Sequence, residues 1–185
     1  MTQFFDLMID TETAGLPHTG ALLSIGACFF DLHTQTIGPT FNRTIHLASS
    51  VKHGGTMDPG TVLWWLRQDP KAQKGVAYNG EPIDLVLNDF SKWIAEHCRV
   101  EDVRPWGNGA SFDLTIVSGA YKRLGIDEPW AFWNQRCFRT VRNQHPSVAY
   151  EPGEKGDDAH NALVDAIFQA QHMFKIKQSL MKAAQ

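Results

Sequence analysis

Asp10 and Glu12 stand two residues apart at the end of an apolar run, Phe4-Phe5-Asp6-Leu7-Met8-Ile9. A run of large apolar residues reads as a strand buried in a sheet. Residues i and i+2 of a strand share a face, so both carboxylates project to one side of its C-terminal end. Like charges held that close repel and raise one another's pKa. A divalent cation between them removes the conflict, and carboxylate oxygen is the ligand type that magnesium and manganese prefer. Two more acids extend the set. Asp113 follows a short apolar segment at the start of a helix, and Asp165 lies in the last helix, five residues after His160. Each fragment alone has an ordinary explanation: an Asp-x-Glu pair arises by chance, and an acid in a helix's first turn complements the dipole. Together, the order, the strand and helix contexts and the His-x-x-x-x-Asp spacing are a much more specific signal than any fragment.

The elements that must position these groups are readable from hydrophobic pattern. Strands are expected at the N-terminal apolar run, at residues 22–31, at 40–47, at 103–107 and at Cys137-Phe138, with short turns making the first three an antiparallel meander. Asp58-Pro59 opens a helix that runs to about Gln68, with Val62, Leu63 and Leu66 facing the core. A second helix begins at Pro82, with Ile83, Val86, Leu87, Phe90 and Ile94 as one stripe and Trp93 beside it. Phe112-Asp113 opens a third, capped by Gly125. Asp157-Asp158 opens the last, with Leu163, Ile167, Ala170 and Phe174 on its buried face. The stretch from Glu151 to Asp157 is a polar, turn-rich loop. The order β-β-β-α-α-β-α-β-α gives an α/β layered sheet.

Composition narrows the class. A chain of 185 residues, 43% of them hydrophobic, suits one domain (1–185) with a sizeable core and contains no membrane-length apolar run. The start, Met1-Thr2-Gln3, has no signal-peptide pattern, so a cytoplasmic protein is expected. Cys28, Cys98 and Cys137 have no metal-ligand spacing and read as buried thiols in a reducing compartment. A net charge of −3 argues against a protein that coats long duplexes, but an enzyme gripping a strand end needs few phosphate contacts.

Three motifs carry a resemblance: Ile9-Asp10-Thr11-Glu12-Thr13-Ala14-Gly15-Leu16, Asn108-Gly109-Ala110-Ser111-Phe112-Asp113, and His160-Asn161-Ala162-Leu163-Val164-Asp165. The chain resembles the DEDD superfamily of 3′–5′ exonucleases in its histidine (DnaQ-like) branch. It is closer to small stand-alone exonucleases of phages and bacteria than to oligoribonuclease or ribonuclease T. Asn161 stands where the sister branch has tyrosine, four residues before the last aspartate. The resemblance implies a ribonuclease H-like fold, a mixed five-stranded sheet flanked by helices. It also implies 3′–5′ hydrolysis of single-stranded DNA or RNA with a free 3′ end to nucleoside 5′-monophosphates, and a homodimer. Leu16 would wedge against the terminal base, Thr13 would lie near its sugar, Phe112 would pack beside the scissile nucleotide, and Asn108 would contact substrate from the same motif.

The expected chemistry follows. Asp10, Glu12, Asp113 and Asp165 would hold two divalent cations, Mg2+ or Mn2+, which stabilise both ends of an in-line displacement at phosphorus. His160 would accept the proton of the attacking water, since imidazole is largely neutral above a pKa of about 6.5. On one ideal helix His160 and Asp165 would lie roughly 140° apart, at about 100° per residue. His160 is therefore expected in a loop or loose first turn, beside glycines that let the segment close over substrate. Small residues at Gly107, Gly109 and Ala110 permit close approach of a nucleotide backbone. Trp64 and Trp65 offer either a base platform or helix packing, with Trp64 the outward one. Arg136, Arg139 and Arg142 form a basic cluster that could contact phosphates or be a solvated face. A noncatalytic nucleic-acid-binding module is the rival reading, though a pure binder has no physical need for clustered acids.

Overall fold

The computed structural model describes residues 4–109, 111–151 and 160–183. Ala110 and the segment with Asp157-Asp158, Gly153 and Gly156 lie outside the described residues. Three strands, β1 (Asp6–Thr13), β2 (Leu22–Asp31) and β3 (Thr36–Thr44), pair antiparallel as expected. β4 (Arg104–Gly107) joins β1 in parallel, and β5 (Arg136–Cys137) joins β4 in parallel. The mixed five-stranded sheet has the order β3-β2-β1-β4-β5. The third strand is earlier than the pattern suggested: Leu47 starts a short helix, α1 (Leu47–Lys52), instead of ending a strand.

Both faces of the sheet are covered, so β1 alternates between two cores. Leu7 and Ile9 belong to one, with Val86, Phe90 and Ile94 of α4 (Ile83–His97) and Ile116, Val117 and Tyr121 of α5 (Asp113–Leu124). Met8 belongs to the other, with Phe138 of α6 (Phe138–Gln144) and Ala166, Ala170, Met173 and Phe174 of α7 (Ala162–Ala183). Burial on two faces removes the polar alternation of a one-sided strand and leaves a continuous apolar run. Trp93 stacks on Phe90 at 5.8 Å and packs on the first core.

Capping residues stop and start the helices where chemistry dictates. The Asp58 carboxylate accepts from the Thr61 amide at 2.7 Å and Pro59 takes the first helical position of α2 (Pro59–Trp65). Gly125 caps α5 with a φ of 66°. The α2 helix ends at Trp65 and passes through turns into α3 (Pro70–Ala77), capped by Asp69. Leu63 and Leu66 do not face the core: they are 51% and 68% exposed. Ala72 and Val76 of the adjoining α3 pack with the cluster around Trp65, which neither leucine joins. The Asn161 side chain caps α7 by accepting from the Leu163 and Val164 amides. The buried stripe of α7 runs through Ala162, Asp165, Ala166, Gln169, Ala170 and Met173, whereas Leu163 and Ile167 are half-buried. Three of these are alanines, and Phe174 and Ile176 extend the buried side toward the C-terminal end of α7.

Among the described residues no helix is long and apolar enough to cross a membrane. All three cysteines are free; Cys28 and Cys98 are buried and Cys137 is half-buried.

Candidate active site

The alternation of β1 decides where each acid goes. Asp10 and Glu12 continue the Met8 side, under α7, and Thr11 continues the Ile9 side, next to α5. Asp165 comes from the first turn of α7. One carboxylate oxygen from each of Asp10, Glu12 and Asp165 lies within 4.8 Å of the others. Gly26 makes this approach possible. It pairs with Asp10 across the strands, and a Cβ there would overlap the Leu163 amide nitrogen and the Ala162 carbonyl carbon. The absent side chain lets the start of α7 rest directly on the sheet.

Asp113 stands outside that group, on the α5 side of the cleft they share. Its Oδ1 accepts from the Thr11 amide at 3.1 Å and the Thr11 hydroxyl at 2.9 Å, and its Oδ2 accepts from the Asn108 amide at 3.0 Å. The residue between the two first acids therefore holds the third.

Burial raises the Asp10 pKa well above the usual carboxylate range, and the charges of Asp113, Glu12 and Asp165 push it further. Burial also raises Asp113, opposed by the hydrogen bonds from Thr11 and Asn108. An all-carboxylate donor set, buried and mutually repelling, fits hard divalent cations that take oxygen ligands. The chemistry of the residues present thus matches divalent metal use.

A cleft of about 510 Å³ opens over these acids, and Thr13, Trp64, Trp65, Asn108, Phe112, Arg139 and His160 also line it. His160 lies outside α7, with a φ of 64° that non-glycine residues rarely adopt. Its ring meets Trp64 edge to face at 4.9 Å and 87°, and Trp65 at 6.1 Å. Trp65 is buried and donates from Nε1 to the Thr13 carbonyl at 2.8 Å, while Trp64 is 41% exposed. Thr13 donates its hydroxyl to the Gly15 carbonyl, and Leu16 stands 55% exposed after the strand.

Two neighbours of the cluster have no signature in the motifs. Gln169, one turn beyond Asp165 on α7 and fully buried, donates from Nε2 to Asp10 Oδ1 at 2.7 Å. The i to i+4 spacing from Asp165 was its one available signal. The Tyr150 hydroxyl is pushed up to about 12 by burial first and then by the charges of Asp165 and Asp10. The basic cluster separates in space. Arg139 lines the cleft, Arg142 lies over the Tyr150 ring at 4.9 Å, and Arg136 donates to the Trp133 and Gln135 carbonyls.

Comparison with known proteins places this arrangement. Residues 5–177 match the family described as the 3′-5′ exoribonuclease Rv2179c-like domain. An exodeoxyribonuclease of Enterobacteria phage T4 is 26% identical over 163 residues, covering 74% of this chain and 70% of the phage protein. Among solved structures, the nuclease domain of 3′hExo, a DEDDh family member bound to rAMP, superposes with a TM-score of 0.62 at 11% identity, over 96% of this chain and 93% of that one. E. coli exonuclease I in complex with a dA16 oligonucleotide superposes with a TM-score of 0.65 at 18% identity, over 95% of this chain. The chain spans 41% of exonuclease I and 64% of cell-death related nuclease 4, another structure of this fold. With a ribonuclease H-like sheet, a buried acid cluster at its tip and a family match over nearly its whole length, the chain belongs to the 3′-5′ exoribonuclease Rv2179c-like domain family.

Proposed function

We propose that this 3′–5′ exonuclease hydrolyses single-stranded DNA or RNA from a free 3′ end and releases nucleoside 5′-monophosphates, with residues 1–185 acting as one exonuclease domain. The convergence of Asp10, Glu12 and Asp165 within 4.8 Å, with Asp113 tied to Thr11 between them, carries the reading. These four acids would hold two divalent cations, Mg2+ or Mn2+. When bound, such ions supply Lewis-acid stabilisation of the charge that develops in an in-line displacement at phosphorus.

The chain's own residues do the rest. A ring nitrogen of His160 takes the proton of the attacking water and returns it to solvent. Trp64 braces that imidazole edge to face. Leu16, exposed just after β1, and Trp64, exposed at the cleft, meet the terminal base, with Trp65 packed against Trp64. Thr13 lies near the sugar, and Asn108 and Phe112 flank the scissile nucleotide from the α5 side. A homodimer working in the cytoplasm completes the reading.

Digestion of 5′-labelled DNA and RNA oligomers with magnesium, manganese or chelator tests it. A ladder shortening from the 3′ end with either cation, lost with chelator and lost in Asp113→Asn, is expected. Folded protein that binds the oligomers but cleaves neither with either cation would instead leave a noncatalytic binding module.

A further inference from the structure

Four carboxylates at the cleft floor repel the polyanion that the cleft must admit. Arg139, on α6, is the arginine that lines the same cleft. Its Nη2 donates to the Asn108 carbonyl oxygen. Its Cζ, Nη1 and Nη2 lie 3.4, 3.5 and 3.5 Å from the point a Cβ on Gly109 would occupy. Three guanidinium atoms nearly equidistant from one point means that the plane lies flat across it. Gly109 has a φ of 149°, a backbone conformation that selects glycine, and the guanidinium lies across the face of this residue at contact distance.

The tether also sets what Arg139 does not do. The Asn108 amide nitrogen donates to Asp113 and the Asn108 carbonyl accepts from Arg139, so the guanidinium sits one residue from a metal-site acid. Yet among the described residues Arg139 forms no ion pair with any carboxylate. A flexible cation beside four acids would fold onto them; this one is held off them on a neutral carbonyl and a glycine. Nε and Nη1 keep their N–H donors, and the planar fork matches two oxygens of a phosphate.

We propose that Arg139 binds a phosphate of the substrate strand and steers the strand end toward the Asp113 side of the cleft. The inference rests on the exonuclease reading and names a substrate contact within it. Steady-state KM and direct binding by fluorescence anisotropy, both on one single-stranded oligonucleotide between about 50 and about 200 mM salt, test it. Arg139→Ala is expected to raise KM and Kd about tenfold. It is also expected to flatten the dependence of log Kd on log salt by about 0.7, the signature of one fewer phosphate neutralised on a single strand. Arg139→Lys should restore the slope but only part of the affinity. Arg136→Ala removes the same charge from β5, where the guanidinium bonds backbone carbonyls, and should change neither. An unchanged slope in Arg139→Ala, or equal effects from Arg136→Ala, overturns the proposal. Parent protein that binds without cleaving overturns the exonuclease reading instead, and the binding slopes still decide the role of Arg139.

Discussion

Gln169 Nε2 donates to Asp10 Oδ1 across 2.7 Å, from one turn beyond Asp165 on α7. A neutral amide thus orients one oxygen of the most strongly repelled acid and opposes the upward push on its pKa. Groups that orient a ligating carboxylate typically matter by about 10- to 100-fold in metal affinity or activity. Gln169→Ala is expected to move the magnesium concentration for half-maximal activity up about tenfold, with the fold kept. A metal titration of oligonucleotide hydrolysis measures it. An unchanged titration would make the Gln169 contact purely structural.

Trp64 and His160 are coupled by their ring contact. The positive φ of His160 leaves its side chain without helical neighbours to hold it, and the indole edge replaces them. If His160 is the general base proposed above, Trp64→Ala should lower kcat about tenfold by loosening its ring, whereas Trp64→Phe, which keeps an aromatic partner, should stay within about threefold of the parent. Measurement at saturating oligonucleotide is blind to weakened base stacking. A rise confined to KM would assign Trp64 to the base alone.

How much of this was readable without coordinates varies with the physical signal. The acid of α5 and the pair on β1 are fixed by strand alternation and by a helix start, and both are local patterns in the residues. The separation of His160 from the Asp165 helix follows from the helical period, and His160 does lie outside α7. The α3 helix left little trace because its inward side is only the half-buried pair Ala72 and Val76, too few apolar residues to make a stripe. Phe138 looked like a strand residue because β5 is two residues long and α6 begins at once. Burial of a large aromatic residue says nothing about which element carries it. Gln169 was missed for the opposite reason: a polar residue inside a buried stripe breaks the very pattern that locates a core. Exposure of Leu63 and Leu66 depended on where α2 stops, and the stop is set by the tertiary turn into α3.

The pH dependence of stability follows from Asp10. Its folded-state pKa is raised, so the native state binds more protons than the unfolded chain between the ordinary aspartate value and the raised one. Without metal, stability contributed by this group falls as pH rises through that window. Asp10→Asn removes the buried charge and keeps an oxygen to accept from Gln169. In chelator the variant should therefore melt above the parent at pH 8, and the gap should shrink toward pH 4. With manganese or magnesium the order reverses at pH 8, because cations that bind only the folded acids raise the melting temperature of the parent. Scanning calorimetry at both pH values, with metal and with chelator, reads all four cases. A parent indifferent to cation at pH 8 would remove the metal role of the cluster.

Gly26 tests whether the seat of α7 positions the site. A methyl group there meets backbone atoms of Ala162 and Leu163, which cannot rotate aside. Relief requires the start of α7 to lift from β2, taking Asp165 with it and leaving Asp10 and Glu12 behind on β1. Gly26→Ala should cost about 2–3 kcal/mol of stability, in the upper range for overpacking. Turnover should fall by orders of magnitude even at temperatures where the variant remains folded. Gly75, inside α3, provides the contrast: nothing stands within 4 Å of its added Cβ. Gly75→Ala should gain about 0.5–1 kcal/mol from helix propensity and leave turnover unchanged. Thermal melts and single-turnover rates on the two variants separate the effects. Full activity in folded Gly26→Ala would show that Asp165 reaches the cluster without the close seating of α7 on the sheet.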